Sequence, residues 1–357
     1  MVVVAMSGGV DSSVVAAILH HQGYDVLGVT LKLHDFYDDN SNSCCGGSGD
    51  IYDAKKVSSQ IGIKHYVLDL EHKFKKKVID NFVESYGIGH TPLPCVRCNQ
   101  FLKFEDLFFF AKKLGAKFLA TGHYVKKITT NSGIQLHQAQ DVSKDQSYFL
   151  FATTNDQLNF LEFPLGNYNK SFTRSLAEKY KLHVDTKKDS QDICFVPNNN
   201  YRTVISKYSQ KGFQPGNIVH VDGFYLGKHH GIANYTIGQR RSLSISWHEA
   251  LYVTKIDHKE NIVYVGPKAS LIKKAFIIND INILDSNKIF FSKNWFYLQV
   301  KIRSTIKEVK ARLKFLNSKE ILIELLENVF SIAPGQACVI YDKTQILGGG
   351  WITDRIY

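Results

Sequence analysis

The chain has 357 residues, a length that suggests two or three domains; 44% hydrophobic and 22% charged residues with only 7 prolines exclude a disordered or fibrous chain. Lys and Arg outnumber Asp and Glu 44 to 33, and the resulting +11 either draws a polyanion or merely aids solubility. No apolar run approaches the roughly 20 residues of a membrane-spanning helix, and residues 1–6 are too short and lack the basic flank of a signal peptide. A cytoplasmic protein with no membrane partner is expected. The 6 cysteines fall as Cys44/Cys45, Cys95/Cys98, Cys194 and Cys338, which is not a secreted disulfide framework. Chemistry or metal binding is the better reading.

The first third alternates strand and helix patterns: a β run at 2–6, a helix at 12–22, a strand at 26–33, a helix at about 51–61 and a strand at about 65–70. Helices near 72–86 and 99–114 and a strand at 117–121 continue the alternation, which implies a parallel sheet with helices on both faces. After about residue 198, turns such as Pro215-Gly216, Asp222-Gly223 and Gly266-Pro267 separate short alternating runs, an antiparallel signature. From about 270 the runs take the spacing of a small barrel or sandwich. The expected fold is α/β, with a Rossmann-like domain over 1–198, a central β-rich domain over 199–270 and a third β-rich domain over 271–357, for which a β-barrel is the reading adopted.

The strongest local signal is Ser7-Gly8-Gly9-Val10-Asp11-Ser12-Ser13, between the first strand and the first helix. Paired glycines let backbone N–H groups converge on an anion, and the helix N-terminus adds donors and positive dipole. The spacing fits neither a Walker loop nor G-x-G-x-x-G. It resembles the PP-loop of ATP pyrophosphatases; the structural alternative is a Gly-Gly turn capped by Asp11 or Ser12.

In His90-Thr-Pro-Leu-Pro-Cys95-Val-Arg97-Cys98-Asn99, two prolines stiffen the approach, so the second cysteine arrives near a helix N-terminus beside Arg97, which favours the thiolate. An isolated C-x-x-C reads as a redox pair, half a zinc site or coincidence. Cys194 sits in a polar stretch running into Phe195-Val196-Pro197, a fit place for a mobile thiol, whereas Cys338 in QACVIY reads as core. Two thiols of this kind suit a sulfur relay, in which one carries a persulfide and the other releases the sulfur by forming a disulfide.

Taken together, AMSGGVDSS, GVTLKL, DIYDAKKV, TPLPCVRCNQFLKF, ATGHY, KDQSYFL, FPLG, DICFVP, GFYLGKHHGIANYTIGQRR and APGQACVIY resemble the tRNA-specific 2-thiouridylase family from residue 2 to about 350. The resemblance implies ATP with Mg²⁺ at Ala5, Met6, Ser7, Gly8, Gly9, Val10, Asp11 and Ser12, with Leu31 beside the adenine and Gly122 closing the nucleotide site. It implies Cys98 and Cys194 as the catalytic pair and the target uridine against Leu93, Pro94 and Cys95. His123, Lys144, Asp145, Gln146, Arg303, Ser304 and Gln336 match tRNA-contacting positions. The implied partners are the anticodon arm of tRNAs for Lys, Glu and Gln and a cysteine desulfurase or sulfur-carrier protein. Structural roles compete with the functional ones: a turn histidine at His123, a helix cap at Lys144 to Gln146, and a solvated pair rather than a phosphate clamp at Arg240-Arg241.

Two departures from the family pattern stand out. Cys95 replaces an Asp that many members carry three residues before the catalytic cysteine, so that a catalytic thiol trio of Cys95, Cys98 and Cys194 becomes available, with an alternative in which the three hold an iron–sulfur cluster. Ser242 and Ser244 stand where glycines are usual, which bears on a turn. A PP-loop ligase acting on a small molecule and a non-enzymatic RNA- or metal-binding module are the rival functions; the first would ignore tRNA, the second would not need the glycine loop.

Overall fold

The computed structural model describes residues 1–34, 46–189, 193–196, 200–209 and 212–357. Two compact units make up the chain: Met1–Val78 with Cys95–Asn199 and Thr344–Ile346, and Ile79–Pro94 with Asn200–Lys343 and Leu347–Tyr357.

In the first unit β1 (Val2–Ala5), β2 (Val26–Lys32), β3 (Lys64–Asp69), β4 (Leu119–Thr121) and the short β7 (Leu161–Glu162) form one parallel sheet in the order β3-β2-β1-β4-β7. Val2, Val3 and Val4 are wholly buried, as a central parallel strand covered on both faces requires. Helix α1 (Val10–His21) lays Val10, Val14, Val15, Ile18 and Leu19 into the core with Ala177, Leu182 and Val184. Helix α2 (Ser48–Ile61) ends on Gly62 in the left-handed conformation. The sheet order reverses between β1 and β4, so the loops after these two strands flank the switch point where open α/β sheets bind ligands.

Most elements of the first third lie within a few residues of expectation. One difference bears on the site: the helix expected near 99 begins at Pro94, a proline-compatible first position. It runs as α-helix Pro94–Cys98, π-helix Asn99–Asp106 and α-helix Leu107–Lys113. The hairpin β5 (Val125–Thr130) and β6 (Gly133–Gln138) was not anticipated.

In the second unit β8 (Gly216–His220), β9 (Tyr225–His229), β10 (Tyr252–Asp257) and β11 (Ile262–Gly266) form a sheet in the order β10-β11-β8-β9. The antiparallel expectation fails at one pairing, since β11 runs parallel to β8; alternation reports which face is buried but not the direction of the partner strand. Strands β12 (Ile272–Ile283), β13 (Phe296–Lys301), β14 (Val309–Asn317), β15 (Glu320–Phe330), β16 (Ala337–Asp342) and β17 (Gln345–Ile356) follow the order β12-β15-β14-β13-β16-β17, and β17 pairs back onto β12. That closes a six-stranded barrel around Phe276, Ile278, Val300, Leu313, Ile323, Cys338 and Ile340, with Cys338 as the core residue expected. No helix among the described residues is long and apolar enough to cross a membrane.

Candidate active site

The glycine loop leaves β1 at Ala5 and turns into α1 at Val10. Gly8 has φ +73°, and a Cβ there would lie 2.3 Å from the carbonyl oxygen of Asp50, so conformation and space both demand glycine. Gly9 is the N-cap and receives no side-chain cap, which leaves first-turn amides open to an anion. The loop is braced from within: the Ser7 N–H donates to Ser12 Oγ at 3.0 Å, the Ser7 and Ser12 hydroxyls lie 3.2 Å apart, and Ser13 Oγ donates to the Gly9 carbonyl at 2.8 Å. Gly122, just past β4, faces this helix end; a Cβ on it would stand 2.8 Å from the Ser12 nitrogen and cover the amide. Met6, Val10 and Leu31 are buried.

A charged network surrounds the cradle. The Asp11 carboxylate accepts from Tyr124 Oη at 2.8 Å and from Lys170 Nζ at 2.7 and 2.8 Å. Lys170 also reaches Asp189 at 2.8 Å, and Asp189 takes Arg174 at 2.8 Å and Lys144 at 2.7 Å. Partial burial works to raise the Asp189 carboxyl, but its bonds to Lys144 and Lys170 prevail and hold it at about 2. Lys187 Nζ donates to the Gly8 carbonyl at 3.1 Å, to Asp50 at 2.9 Å and to Asp53 at 2.6 Å. Burial opposes the Lys187 charge, yet the two carboxylates keep its pKa above the ordinary lysine value. None of Tyr124, Lys170, Arg174 or Lys187 was singled out from the sequence as part of the site; each is far from the loop in sequence, and only the fold brings it there.

Cys95 and Cys98 lie three residues apart on one helix face, Cys95 exposed and Cys98 buried. Here the thiolate expectation is corrected. The helix begins at Pro94, so Cys98 is a full turn inside it, and burial pushes its thiol up, with Lys103 pulling down and Cys95 pushing up. Lys103, which sequence reasoning passed over, follows Cys98 by five residues, the hydrogen-bond spacing of the π-helical stretch. The Gln157 amide satisfies the Phe104 carbonyl within that stretch. Lys103 also bears on His123, whose ring accepts or shares a 2.8 Å bond with Thr121 Oγ1 and meets Phe104 at 5.9 Å between centroids. Burial and then Lys103 hold His123 well below the ordinary histidine value, which makes it neutral at neutral pH.

Cys194 is half-buried in a turn closed by the Val196 N–H donating to Ile193 O at 2.9 Å. Phe195 is buried and packs edge-on against Phe74 at 5.6 Å. Over residues 193–196 the expected mobile loop is thus an anchored turn. Ser190, Asp192, Pro197, Cys44 and Cys45 lie outside the described residues. Among the described residues no three His, Cys, Asp or Glu side chains gather as a metal set, so Cys95, Cys98 and Cys194 as placed do not fit an iron–sulfur cluster.

The remaining positions divide between the two units. In the first, Lys144 pairs with Asp189; Asp145 accepts from the Ala139 and Ser147 N–H groups at 3.0 and 3.2 Å; and Gln146 brackets Tyr124, accepting from its N–H at 2.9 Å. In the second, Leu93 is half-buried and Pro94 buried. Gln336, itself buried, donates to the Thr91 carbonyl at 3.0 Å just ahead of them. Arg303 donates to the Ser331 carbonyl at 2.6 Å, and Ser304 is exposed.

A parallel sheet with a glycine-rich loop at its switch point, followed by β-rich segments and a closed barrel, defines a class, and the family models agree with it. Residues 1–198 match the model described as tRNA methyl transferase HUP domain, 202–267 the tRNA methyl transferase PRC-barrel domain and 273–352 the aminomethyltransferase beta-barrel domain. The chain is 54% identical over 362 residues to the tRNA-specific 2-thiouridylase MnmA of Rickettsia peacockii, covering 99% of this chain and 97% of that protein. It is 55% identical over 358 residues to the protein of the same name from Rickettsia bellii, with 98% and 95% covered, and 54% identical over 363 residues to that of Rickettsia canadensis, with 100% and 96% covered. The chain belongs to the tRNA-specific 2-thiouridylase family.

Proposed function

We propose that this protein is a tRNA-uridine 2-sulfurtransferase that replaces the C2 oxygen of the wobble uridine by sulfur at the expense of ATP. The observation that carries the reading is the conjunction, in one unit, of an uncapped glycine loop at a helix N-terminus with the thiol pair Cys98 and Cys194. Oxide is a poor leaving group, and a phosphate ester is a good one. In the first step O2 of the uridine attacks the α-phosphorus of ATP and pyrophosphate leaves, its charge met by the amides after Gly9 and by the Ser7 and Ser12 hydroxyls. Mg²⁺ would travel with the nucleotide, and Asp11 in the first turn of α1 would be a carboxylate ligand for it, in keeping with an ion that takes most of its ligands from phosphates and water.

In the second step the terminal sulfur of a Cys194 persulfide attacks C2, and AMP departs with the former O2. The Cys98 thiolate then attacks the Cys194 sulfur; the sulfur–sulfur bond to the product breaks, 2-thiouridine is released, and a Cys98–Cys194 disulfide remains for a thiol reductant. Cys95 occupies the place of a carboxylate in many relatives, so no step is given to an acid–base group there. The target base would be flipped against Leu93, Pro94 and Cys95. His123, Lys144, Asp145, Gln146, Arg303, Ser304 and Gln336 are the proposed tRNA side. The proposed substrates are the tRNAs for Lys, Glu and Gln, with a cysteine desulfurase or sulfur-carrier protein as donor in the cytoplasm. The proposed domain limits are 1–198, 199–270 and 271–357.

The test is incubation of the purified chain with ATP, a persulfide source and unmodified tRNA for Lys, followed by digestion and mass spectrometry. ATP-dependent 2-thiouridine at the wobble position is expected, and its loss in Cys98→Ser and Cys194→Ser with tRNA binding retained. ATP turnover without thiolation would favour a ligase with another acceptor.

A further inference from the structure

Two separate cationic arms fasten the same short stretch of chain to the glycine loop. Lys187 grips the Gly8 carbonyl together with Asp50 and Asp53. Two residues later Asp189 is the hub for Lys144, Lys170 and Arg174, and Lys170 continues to Asp11 on the loop helix. Arg174 also donates to the carbonyls of Asp185 at 2.8 Å and Lys187 at 3.1 Å, so the backbone leading into Asp189 is held as well as its side chain. Cys194 follows Asp189 by five residues, and an extended chain of that length reaches no further than about 17 Å. On its other side the thiol is held by Phe195 against Phe74.

We infer that Asp189 is a positioning residue for sulfur transfer: by clamping residues 185–189 to the glycine loop it sets the Cys194 thiol in register with the activated base, so that its loss falls more heavily on sulfur transfer than on activation. The inference rests on the proposed thiolation reading. Its asymmetry follows from the geometry. Removing the Asp189 charge leaves Lys170 its two bonds to Asp11 and leaves Lys187 on Gly8 and Asp53, so the nucleotide side keeps its cations. The segment carrying the thiol loses three ion pairs at once.

The experiment compares wild type, Asp189→Asn and Asp189→Glu in two assays on tRNA for Lys: pyrophosphate release on mixing with ATP, and 2-thiouridine formed from a persulfide source. For Asp189→Asn the expected result is thiolation falling at least tenfold further than pyrophosphate release, about 1.4 kcal/mol or more, and a partial recovery in Asp189→Glu. Thiolation equal to wild type overturns the inference, as does a parallel fall in both assays that tracks a lowered Tm, which marks a merely structural role. An inactive wild type instead overturns the parent reading and the inference with it.

Discussion

At the scale of single residues, the thiol at Cys98 is the informative departure. Its position in the motif suggested an easily ionised sulfur, but burial raises its pKa, and only Lys103 works the other way. A raised cysteine pKa means that the reactive thiolate is scarce at neutral pH and grows as pH climbs. Single-turnover sulfur transfer is therefore expected to rise close to tenfold per pH unit through the ordinary cysteine value of about 8.5 without levelling there. Lys103→Gln should move the profile further to alkaline pH. A plateau below pH 7 would contradict this assignment. Gly8 offers an independent check: with φ +73° and the Asp50 carbonyl 2.3 Å from any Cβ, Gly8→Ala must displace the loop. A displacement of about 1 Å at a reacting phosphate costs on the order of 100-fold, so tRNA-dependent pyrophosphate release should fall by that order in Gly8→Ala.

At the scale of elements, much was legible because the signals were local. The alternation of apolar strands and amphipathic helices gave the parallel sheet, and the glycine pair fixed the loop between β1 and α1. What was not legible depends on distant partners. The parallel pairing of β11 with β8 leaves no mark in the alternation of either strand, and the π-helical widening at Asn99–Asp106 has no local code. The Asp189 hub joins residues far apart in sequence; Lys144 was read as an RNA contact or a cap, and its ion pair with Asp189 could not be seen. One turn was legible through resemblance alone. Ser242 and Ser244, where glycines are usual, adopt φ +63° and +53°. Left-handed backbone costs a non-glycine residue about 1–2 kcal/mol, against about 0.5–1 kcal/mol for the extra freedom glycine loses on folding. Ser242→Gly with Ser244→Gly is thus expected to stabilise the chain by about 1 kcal/mol in all, read as a rise in Tm of about 1–2 °C for a chain of this length; no change or a fall would show that the serine side chains compensate.

At the scale of the whole molecule, the excess of basic residues fits a polyanionic substrate, and the family to which the chain belongs gives that excess a purpose. Binding carried by phosphate contacts releases counterions, so log K for tRNA should fall linearly with log salt by roughly 0.7–0.9 per phosphate neutralised. Lys144→Ala should reduce the slope by about one such step if that lysine exchanges Asp189 for a phosphate in the complex; an unchanged slope would leave Lys144 to the ion pair alone.

The central claim is that oxygen leaves the uridine as part of AMP. Transfer to the chain of a tRNA carrying oxygen-18 at O2 of the wobble uridine, with ATP and a persulfide source, tests it directly by mass spectrometry of both products. The account predicts 2-thiouridine in the tRNA and one oxygen-18 in the phosphate of the AMP released. Thiolated tRNA accompanied by unlabelled AMP would contradict it.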